Sequence, residues 1–220
     1  MRLWTLAWAI LVCVEFLPSP AEAFVRVYLV GDLTLSTPKI ISAALPTVKA
    51  KPGFGFGGLL EIPLGGSLGI EFGGLYLARK SEISSSVTES IAVSTVMIPA
   101  TFRIWIARYV TLVGGVYYAM DQGDLSVTDS GGTVTKLSHD AYGIGSADLG
   151  MLGGGGINIP IKPWINVLAE FRYIFGVFYV SQAPGATWSY RDLQFLAGIR
   201  LGKAVGSGGG AGGGAAPGPR

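Results

Sequence analysis

The single histidine of this 220-residue chain lies between two side chains with which it could carry out acid–base chemistry. The segment is Ser138-His139-Asp140, and a serine, a histidine and a carboxylate are the groups that catalyse acyl transfer in many hydrolases. However, catalytic partners usually come from separate elements, and neighbours on a strand point to opposite sides. We therefore interpret His139 as a solvated loop residue and predict that the protein is not an enzyme, with acyl transfer as the alternative.

Paired acidic and basic residues form the second group that could do chemistry. Glu170 and Arg172 are two residues apart, so on a strand they share a face and can interact. Together with Glu61 and Glu71 they could serve as the paired carboxylates of a glycosidase or as a proton path. Charge pairing inside a protein explains the same residues without a substrate cleft, and we favour that interpretation.

Glycine runs and metal ligands give no further site. The runs at 53–58 and at 153–156 lack the Lys-Ser/Thr and the strand–loop–helix context of a phosphate-binding loop. In strands, glycines relieve crowding and allow sharp curvature. The sequence has no cluster of metal ligands, and its one cysteine, Cys13, lies in a predicted signal peptide. We predict no cofactor, no metal and no disulfide.

The elements that carry these residues are strands. Between Trp164 and Phe178 one parity is wholly apolar, with Phe171 and Phe175 among its members, whereas the other parity holds Glu170 and Arg172. A period of two predicts a strand with one apolar side. The same alternation predicts eight strands, at 24–35, 53–62, 67–80, 90–105, 110–121, 143–159, 164–178 and 191–203.

The predicted connections alternate in length. They are short after the second, fourth and sixth strands, and longer at 36–52, 81–89, 122–142 and 179–190. Within 122–142 the polar segments around Asp129-Ser130-Gly131-Gly132 predict that the flanking strands continue as an exposed hairpin. Short turns at one end and long loops at the other are typical of transmembrane barrels.

Composition supports a membrane protein without membrane helices. The chain is 50% hydrophobic and 14% charged, with a mean hydropathy of +0.49. Outside the N-terminus it has no apolar run of the roughly 18 residues that a spanning helix needs. The net charge of +2 and the lack of a basic cluster argue against a nucleic-acid partner.

The two ends of the chain differ from its centre. Residues 1–23 have a basic Arg2, an apolar core and Ala21-Glu22-Ala23, which predict a cleaved signal peptide. The barrel is predicted at 24–203, and residues 204–220 form a Gly-rich tail that we expect to be disordered.

The amount of charge decides which face is inside. A water-facing surface is about 25–35% charged, whereas here the polar face carries about one ion per strand. We therefore predict an all-β, eight-stranded antiparallel up-and-down transmembrane β-barrel with its apolar face towards lipid. An eight-stranded barrel is just wide enough to be filled by its own side chains, so we predict that its lumen is plugged by four cations and four anions. They are Arg26, Glu61, Glu71, Arg103, Asp148, Glu170, Arg172 and Arg200. Aromatic girdles are predicted at the two membrane interfaces: Tyr76, Trp105, Tyr109, Tyr118, Trp164, Tyr173 and Phe178.

The chain resembles the small outer-membrane barrels of the OmpA transmembrane-domain and OmpX-like type. The features that carry this resemblance are the signal peptide, the eight alternating strands, the tight turns on one side and a last strand with Gly198-Ile199-Arg200-Leu201. The resemblance spans Phe24 to Lys203. It implies a bacterial outer-membrane location, assembly by the barrel-assembly machinery, and contact with outer-membrane lipids and lipopolysaccharide.

We expect a monomeric barrel with a structural or surface-interaction role through the loops at 36–52 and 122–142. A narrow porin-like channel is the alternative, and a lipid-modifying outer-membrane enzyme is less favoured. A soluble ligand-binding barrel with its apolar rows inside is the remaining possibility.

Overall fold

The computed structural model of the chain describes residues 25–41, 47–65, 67–84, 88–107, 109–138, 146–177 and 187–202. The predicted signal peptide, the predicted tail and His139 lie outside these residues. In the described segments, no helix has the length and hydropathy of a membrane span. The strands are β1 Arg26–Ser36, β2 Lys39–Ile41, β3 Thr47–Gly65, β4 Leu68–Ser84, β5 Thr88–Trp105, β6 Val110–Thr128, β7 Val134–Leu137, β8 Ala147–Lys162, β9 Ile165–Gly176, β10 Thr187–Ser189 and β11 Arg191–Leu201.

The long strands close into a ring. They pair in the order β1-β3-β4-β5-β6-β8-β9-β11, and β11 pairs back to β1 from Val27↔Leu201 to Ser36↔Asp192. Every pairing is antiparallel between strands that follow one another along the chain. The predicted fold class, an eight-stranded up-and-down barrel, is confirmed. Closure matters because it leaves the ring without an exposed edge.

The faces of the barrel have the predicted sidedness. Along β9, buried and exposed residues alternate over the whole strand. Glu170 and Arg172 are 4% and 0% exposed, whereas Phe171 and Tyr173 are each 40% exposed. A soluble carrier would have the opposite arrangement, with its charges outside. The apolar outer wall therefore identifies a transmembrane type of barrel.

The height of the apolar wall follows from its aromatic residues. Tyr76, Tyr118 and Tyr173 each lie eight residues after the first residue of their strands and are exposed. Tyr109 and Trp164 are exposed at the opposite end, beside the short turns. Nine residues of a strand tilted by about 40° rise roughly 23 Å, close to the ~25 Å apolar band of outer-membrane barrels.

Trp105 does not belong to the predicted girdle, and that part of the prediction is wrong. Its side chain shares the parity of Arg103 and is only 4% exposed. Inside the barrel its Nε1 donates a hydrogen bond to Glu61 Oε1 at 3.1 Å. A buried indole needs such an acceptor, so the tryptophan acts here as a lumen residue. Phe178 lies outside the described residues.

The end of the barrel with the short turns, at 66–67, 106–109 and 163–164, is called the turn end, and the opposite end the loop end. At the loop end several strands are longer than predicted. β3 begins at Thr47 within the predicted 36–52 loop, and β4 and β5 leave only 85–87 of the predicted 81–89 loop. These extensions lie beyond the apolar band, where neither strand face meets lipid, so the alternation weakens although the ladder continues.

The predicted hairpin within 122–142 is confirmed. β6 runs to Thr128 and pairs with β7 from Leu125↔Leu137 to Thr128↔Val134. Asp129 Oδ1 accepts hydrogen bonds from the backbone nitrogens of Gly131 at 2.9 Å and Thr133 at 2.8 Å. Gly132 takes a φ of 82°, a left-handed conformation that glycine adopts without strain.

Inward glycines allow the strands to approach closely. A Cβ added to Gly154 would lie 2.0 Å from the carbonyl oxygen of Phe171 on β9. The same test at Gly57 gives 2.2 Å to the carbonyl oxygen of Gly74 on β4. At Gly153, which faces outwards, the nearest atom is 4.0 Å away. Crowding therefore falls on the inner face, as the sharp curvature of a small barrel requires.

Candidate functional site

Four charged side chains join opposite walls at the centre of the lumen. They form the central quartet: Glu71 on β4, Arg103 on β5, and Glu170 and Arg172 on β9. Glu71 Oε1 accepts from Arg172 Nη2 at 2.7 Å, and Glu170 Oε2 accepts from Arg103 Nη1 at 2.7 Å. Arg103 also pairs with Glu71, and Arg172 with Glu170. Because β4 is third and β9 seventh in the ring of eight, these contacts cross the full width of the barrel.

The central quartet is electrically balanced and fully buried. Its side chains in the ion pairs have an exposed fraction of 0%. Thr101 donates to Glu71 Oε1 at 3.2 Å, and Thr111 Oγ1 accepts from Arg103 Nη1 at 3.1 Å. The two guanidinium groups and the two carboxylates neutralise one another in this way, which limits the cost of burying charge, and only Arg172 Nη1 among the described atoms of the quartet has no hydrogen-bond partner.

At the turn end a second set of charges surrounds Glu61. Arg26 and the Tyr28 hydroxyl donate to its two carboxylate oxygens, in addition to Trp105. Arg200 lies with its Cζ 4.8 Å from the centre of the Trp105 ring. None of the ion pairs among the described residues includes Arg200. This turn-end layer, Arg26, Glu61 and Arg200, has one more cation than anion.

The loop-end layer has the opposite balance. Arg79 Nε donates to Asp192 Oδ2 at 2.9 Å, and its Nη2 donates to Asp148 Oδ2 at 3.3 Å. The Tyr117 hydroxyl donates to Asp148 Oδ2 at 2.7 Å. Asp32 is buried on the inner face of β1, the strand next to β11, and accepts a hydrogen bond from Thr34 Oγ1. One cation therefore stands against three carboxylates.

An apolar cover lies over the loop-end layer. Tyr190 stacks on Arg79, whose Cζ is 4.2 Å from the ring centre, and packs with Ile91, Leu125 and Val127. Burial raises the pKa of the Tyr190 phenol well above its usual range, so the ring covers Arg79 as a neutral group. Beyond Tyr190 along the chain, β10 pairs with β2. This pair continues the register of β1 and β11, with Ser189↔Lys39 following Ser36↔Asp192.

Apolar side chains fill the space between the charged layers. They form one buried cluster that includes Leu59, Leu75, Met97, Leu168 and Ile174. The lumen therefore alternates charged and apolar levels along its axis.

The structure places all eight sequence-predicted lumen residues on the inner face, but in three separate groups. Glu71, Arg103, Glu170 and Arg172 come together, Arg26 joins Glu61, and Asp148 and Arg200 lie at opposite ends. Sequence reasoning missed Arg79, Asp192 and Asp32 as members. Strand parity was the signal that could have found them. Arg79 shares its strand face with Glu71, Asp192 shares one with Arg200, and Asp32 shares one with Tyr28.

Other candidate chemistry is not assembled in the described residues. There, no three His, Cys, Asp or Glu side chains group as ligands of a metal ion. Ser138 is exposed at the loop end, and its predicted partners His139 and Asp140 lie outside the described residues.

These features define the class of protein as a transmembrane-type eight-stranded β-barrel with an ionic lumen. Among solved structures, the chain is similar to Ail, the attachment invasion locus protein of Yersinia pestis, with 14% identity, a TM-score of 0.42, and coverage of 82% of this chain and 100% of that chain. It is similar to Neisserial surface protein A, with 15% identity, a TM-score of 0.44, and coverage of 80% and 96%. It is also similar to the outer membrane protein OprG from Pseudomonas aeruginosa, with 11% identity, a TM-score of 0.48, and coverage of 82% of this chain and 96% of that chain. No protein-family model matches the chain, and no curated protein matches it in sequence.

Proposed function

We propose that the protein is an integral barrel of the bacterial outer membrane whose lumen is closed, and that it acts through the strands that extend beyond the loop end. The central quartet carries this proposal, because its ion pairs connect β4 to β9 across the lumen. The proposed role is structural or surface-interacting, not transport.

Energetics support closure. An ion that passes the central quartet must separate guanidinium and carboxylate groups that are fully buried. Leaving one partner of a buried pair alone costs about 3–5 kcal/mol, and the apolar levels on either side offer no replacement water. Passage would require several such separations at once.

Single-channel recording in planar bilayers tests the closed lumen. We expect the wild-type barrel to show no steady conductance. The double variant Glu71→Ala/Arg172→Ala removes one charge of each sign from opposite walls and shortens both side chains, so we expect it to admit ions. It also proves that the assay detects an open form of this barrel.

Folding of both proteins is checked by their heat-modifiable shift on unboiled gels. A steady wild-type current from inserted barrels would contradict the closed lumen and support the narrow channel instead.

The loop-end extension supports a surface role. β3, β4, β5 and β6 continue past the apolar band, and β7 adds to β6, so this side of the barrel stands taller than the side formed by β8 and β9. Val134 is 60% exposed on β7. A raised sheet with exposed apolar residues is a surface on which a protein partner can dock.

A basic patch beside the aromatic residues supports contact with anionic lipid. Lys51 and Lys80 are directly opposed on β3 and β4, and the outward pair Phe56↔Tyr76 lies just towards the membrane. Like charges in this position destabilise a sheet unless an anion compensates them. Lys51 already pairs with Glu82, and Lys49 adds a further charge, so the patch keeps a net charge of +2. Lipopolysaccharide phosphates are the anions expected at this height.

The double variant Lys51→Gln/Lys80→Gln tests lipid contact. Each basic residue near an anionic surface contributes about 1 kcal/mol, so we expect lipopolysaccharide binding to weaken roughly tenfold or more. Native mass spectrometry of the detergent-solubilised barrel measures it. Lys162→Gln, an exposed lysine at the turn end, is the matched control and should bind as wild type does. Equal loss in both variants would contradict a specific patch.

We propose further that the barrel is monomeric, inserts through the barrel-assembly machinery and has no enzymatic activity. A His139→Ala variant should leave the lipid profile of the membrane unchanged. Altered lipid acylation in that variant would favour the lipid-modifying alternative.

A further inference from the structure

We propose that the turn end of the lumen binds one small monovalent anion, such as chloride, between Arg200, Asn166 and Asn158. The proposal rests on the inner wall at the turn end. It does not depend on whether the central quartet closes the lumen, or on the surface role proposed above.

Three polar side chains at this end are buried, and each has at least one donor without a hydrogen-bond partner. Arg200, Asn166 and Asn158 are 1%, 2% and 1% exposed. Arg200 Nε and Nη1, Asn166 Nδ2, and both polar atoms of the Asn158 amide have no hydrogen-bond partner. A buried donor left unsatisfied costs about 1–3 kcal/mol, and more when it is charged. Several such donors in one place indicate a shared ligand.

Strand register brings the three residues together. They lie on β11, β9 and β8, which are neighbours in the ring. Asn166 is directly opposite Arg200, and Asn158 is opposite Leu168, one inward position further along β9. Directly opposed Cβ atoms on neighbouring strands are about 4.5–5.5 Å apart and diagonal ones about 7–8 Å, so Asn166 on the middle strand is a neighbour of both Arg200 and Asn158. An ion beside Asn166 would lie between the other two side chains.

The local charge balance selects an anion. Glu61 already accepts from Arg26, Tyr28 and Trp105, and Arg200 stacks on the Trp105 ring. The turn-end layer therefore keeps one uncompensated positive charge inside the wall. Burying an unpaired charge is strongly unfavourable, and one monovalent anion cancels it. The free amide donors complete the coordination of the ion, as neutral N–H groups commonly do.

Position in the fold also favours a small ion. The Trp105 ring lies on β5, fourth in the ring, and Arg200 lies on β11, eighth, so the stacked pair spans the lumen above the turns. A Cβ on Gly198, the next inward position of β11, would lie 2.1 Å from the Leu29 carbonyl oxygen. The wall beside the site is therefore tightly closed, and a bulky oxyanion is disfavoured.

Chloride itself is the probe for the experiment. The full-chain barrel in detergent is titrated with chloride, and binding is followed by ³⁵Cl NMR line broadening and by the thermal unfolding midpoint against gluconate at equal ionic strength. We expect saturable broadening and a higher midpoint in chloride. Arg200→Gln should abolish both, and Lys162→Gln, an exposed cation at the same end, should change neither.

A second variant separates binding from folding. Asn166→Leu leaves the charge of the site unchanged but removes one donor, so chloride should bind about tenfold more weakly while the barrel stays heat-modifiable. Identical linewidths and midpoints in chloride and gluconate for the wild type would overturn the proposal and leave the site hydrated only. Unchanged binding in Asn166→Leu would overturn the assignment of that residue.

Discussion

Glu71→Gln is expected to lower the free energy of unfolding of the barrel by about 3–5 kcal/mol. Glu71 accepts from Arg103, Arg172 and Thr101, so it is the residue on which most of the central quartet converges. Glutamine keeps the shape but loses the charge, which leaves two buried guanidinium groups to share one carboxylate, Glu170. The cost arises mainly from those uncompensated cations.

Urea unfolding in lipid vesicles, followed by tryptophan fluorescence, measures this loss. The matched control is Glu82→Gln, because Glu82 also pairs with a cation but lies on the outside with a side chain 20% exposed. Exposed pairs contribute about 0–1 kcal/mol, so the control should stay close to wild type. Equal, small losses in both variants would contradict a strongly coupled quartet.

Gly154→Ala is expected to prevent most of the chain from folding into a heat-modifiable barrel, although the change adds a single methyl group. The new Cβ would lie 2.0 Å from the Phe171 carbonyl oxygen and 2.9 Å from the Arg172 Cα. Both are backbone atoms of the neighbouring strand, so no side-chain rotation relieves the contact. Overpacking usually costs about 1–3 kcal/mol, and a backbone clash in a closed ring belongs at or above the top of that range.

The adjacent residue supplies the control. Gly153→Ala places its methyl group outwards with the nearest atom at 4.0 Å, so it should fold normally and gain up to roughly 1 kcal/mol from reduced chain entropy. The folded fraction of each refolded variant is read from unboiled gels. If both variants fold equally well, crowding on the inner face is not what selects glycine at 154.

Local pattern was sufficient for the ring and for its sidedness. Phe171 and Arg172 follow one another, and their opposite faces were predictable from parity alone, as were the short turns and the hairpin around Asp129. Trp105 shows how the same rule was set aside: its parity with Arg103 indicated the lumen, but its place at a strand end suggested a girdle.

Partner choice within the lumen was not predictable from local pattern. Arg172 pairs with Glu71 across 101 residues of sequence, and that contact depends on the stagger of all the strands between them. Strand ends at the loop end were missed for another reason. Beyond the lipid, as at Thr47 and Ser84, backbone pairing sets the strand, and the side chains no longer alternate strongly.

The seam between β1 and β11 has a consequence for the order of assembly. Glu71 and Arg103 belong to the first half of the ring and pair with each other, but both also pair with residues of β9, the penultimate strand of the ring to be synthesised. Until that strand arrives, the nascent sheet carries these ions in contact with water, and the ring stays open. Neutralisation of these buried charges and closure of the ring therefore occur together as β9 and β11 join, so we expect the final stage of folding to be cooperative. A chain that ends before β9 cannot close the ring.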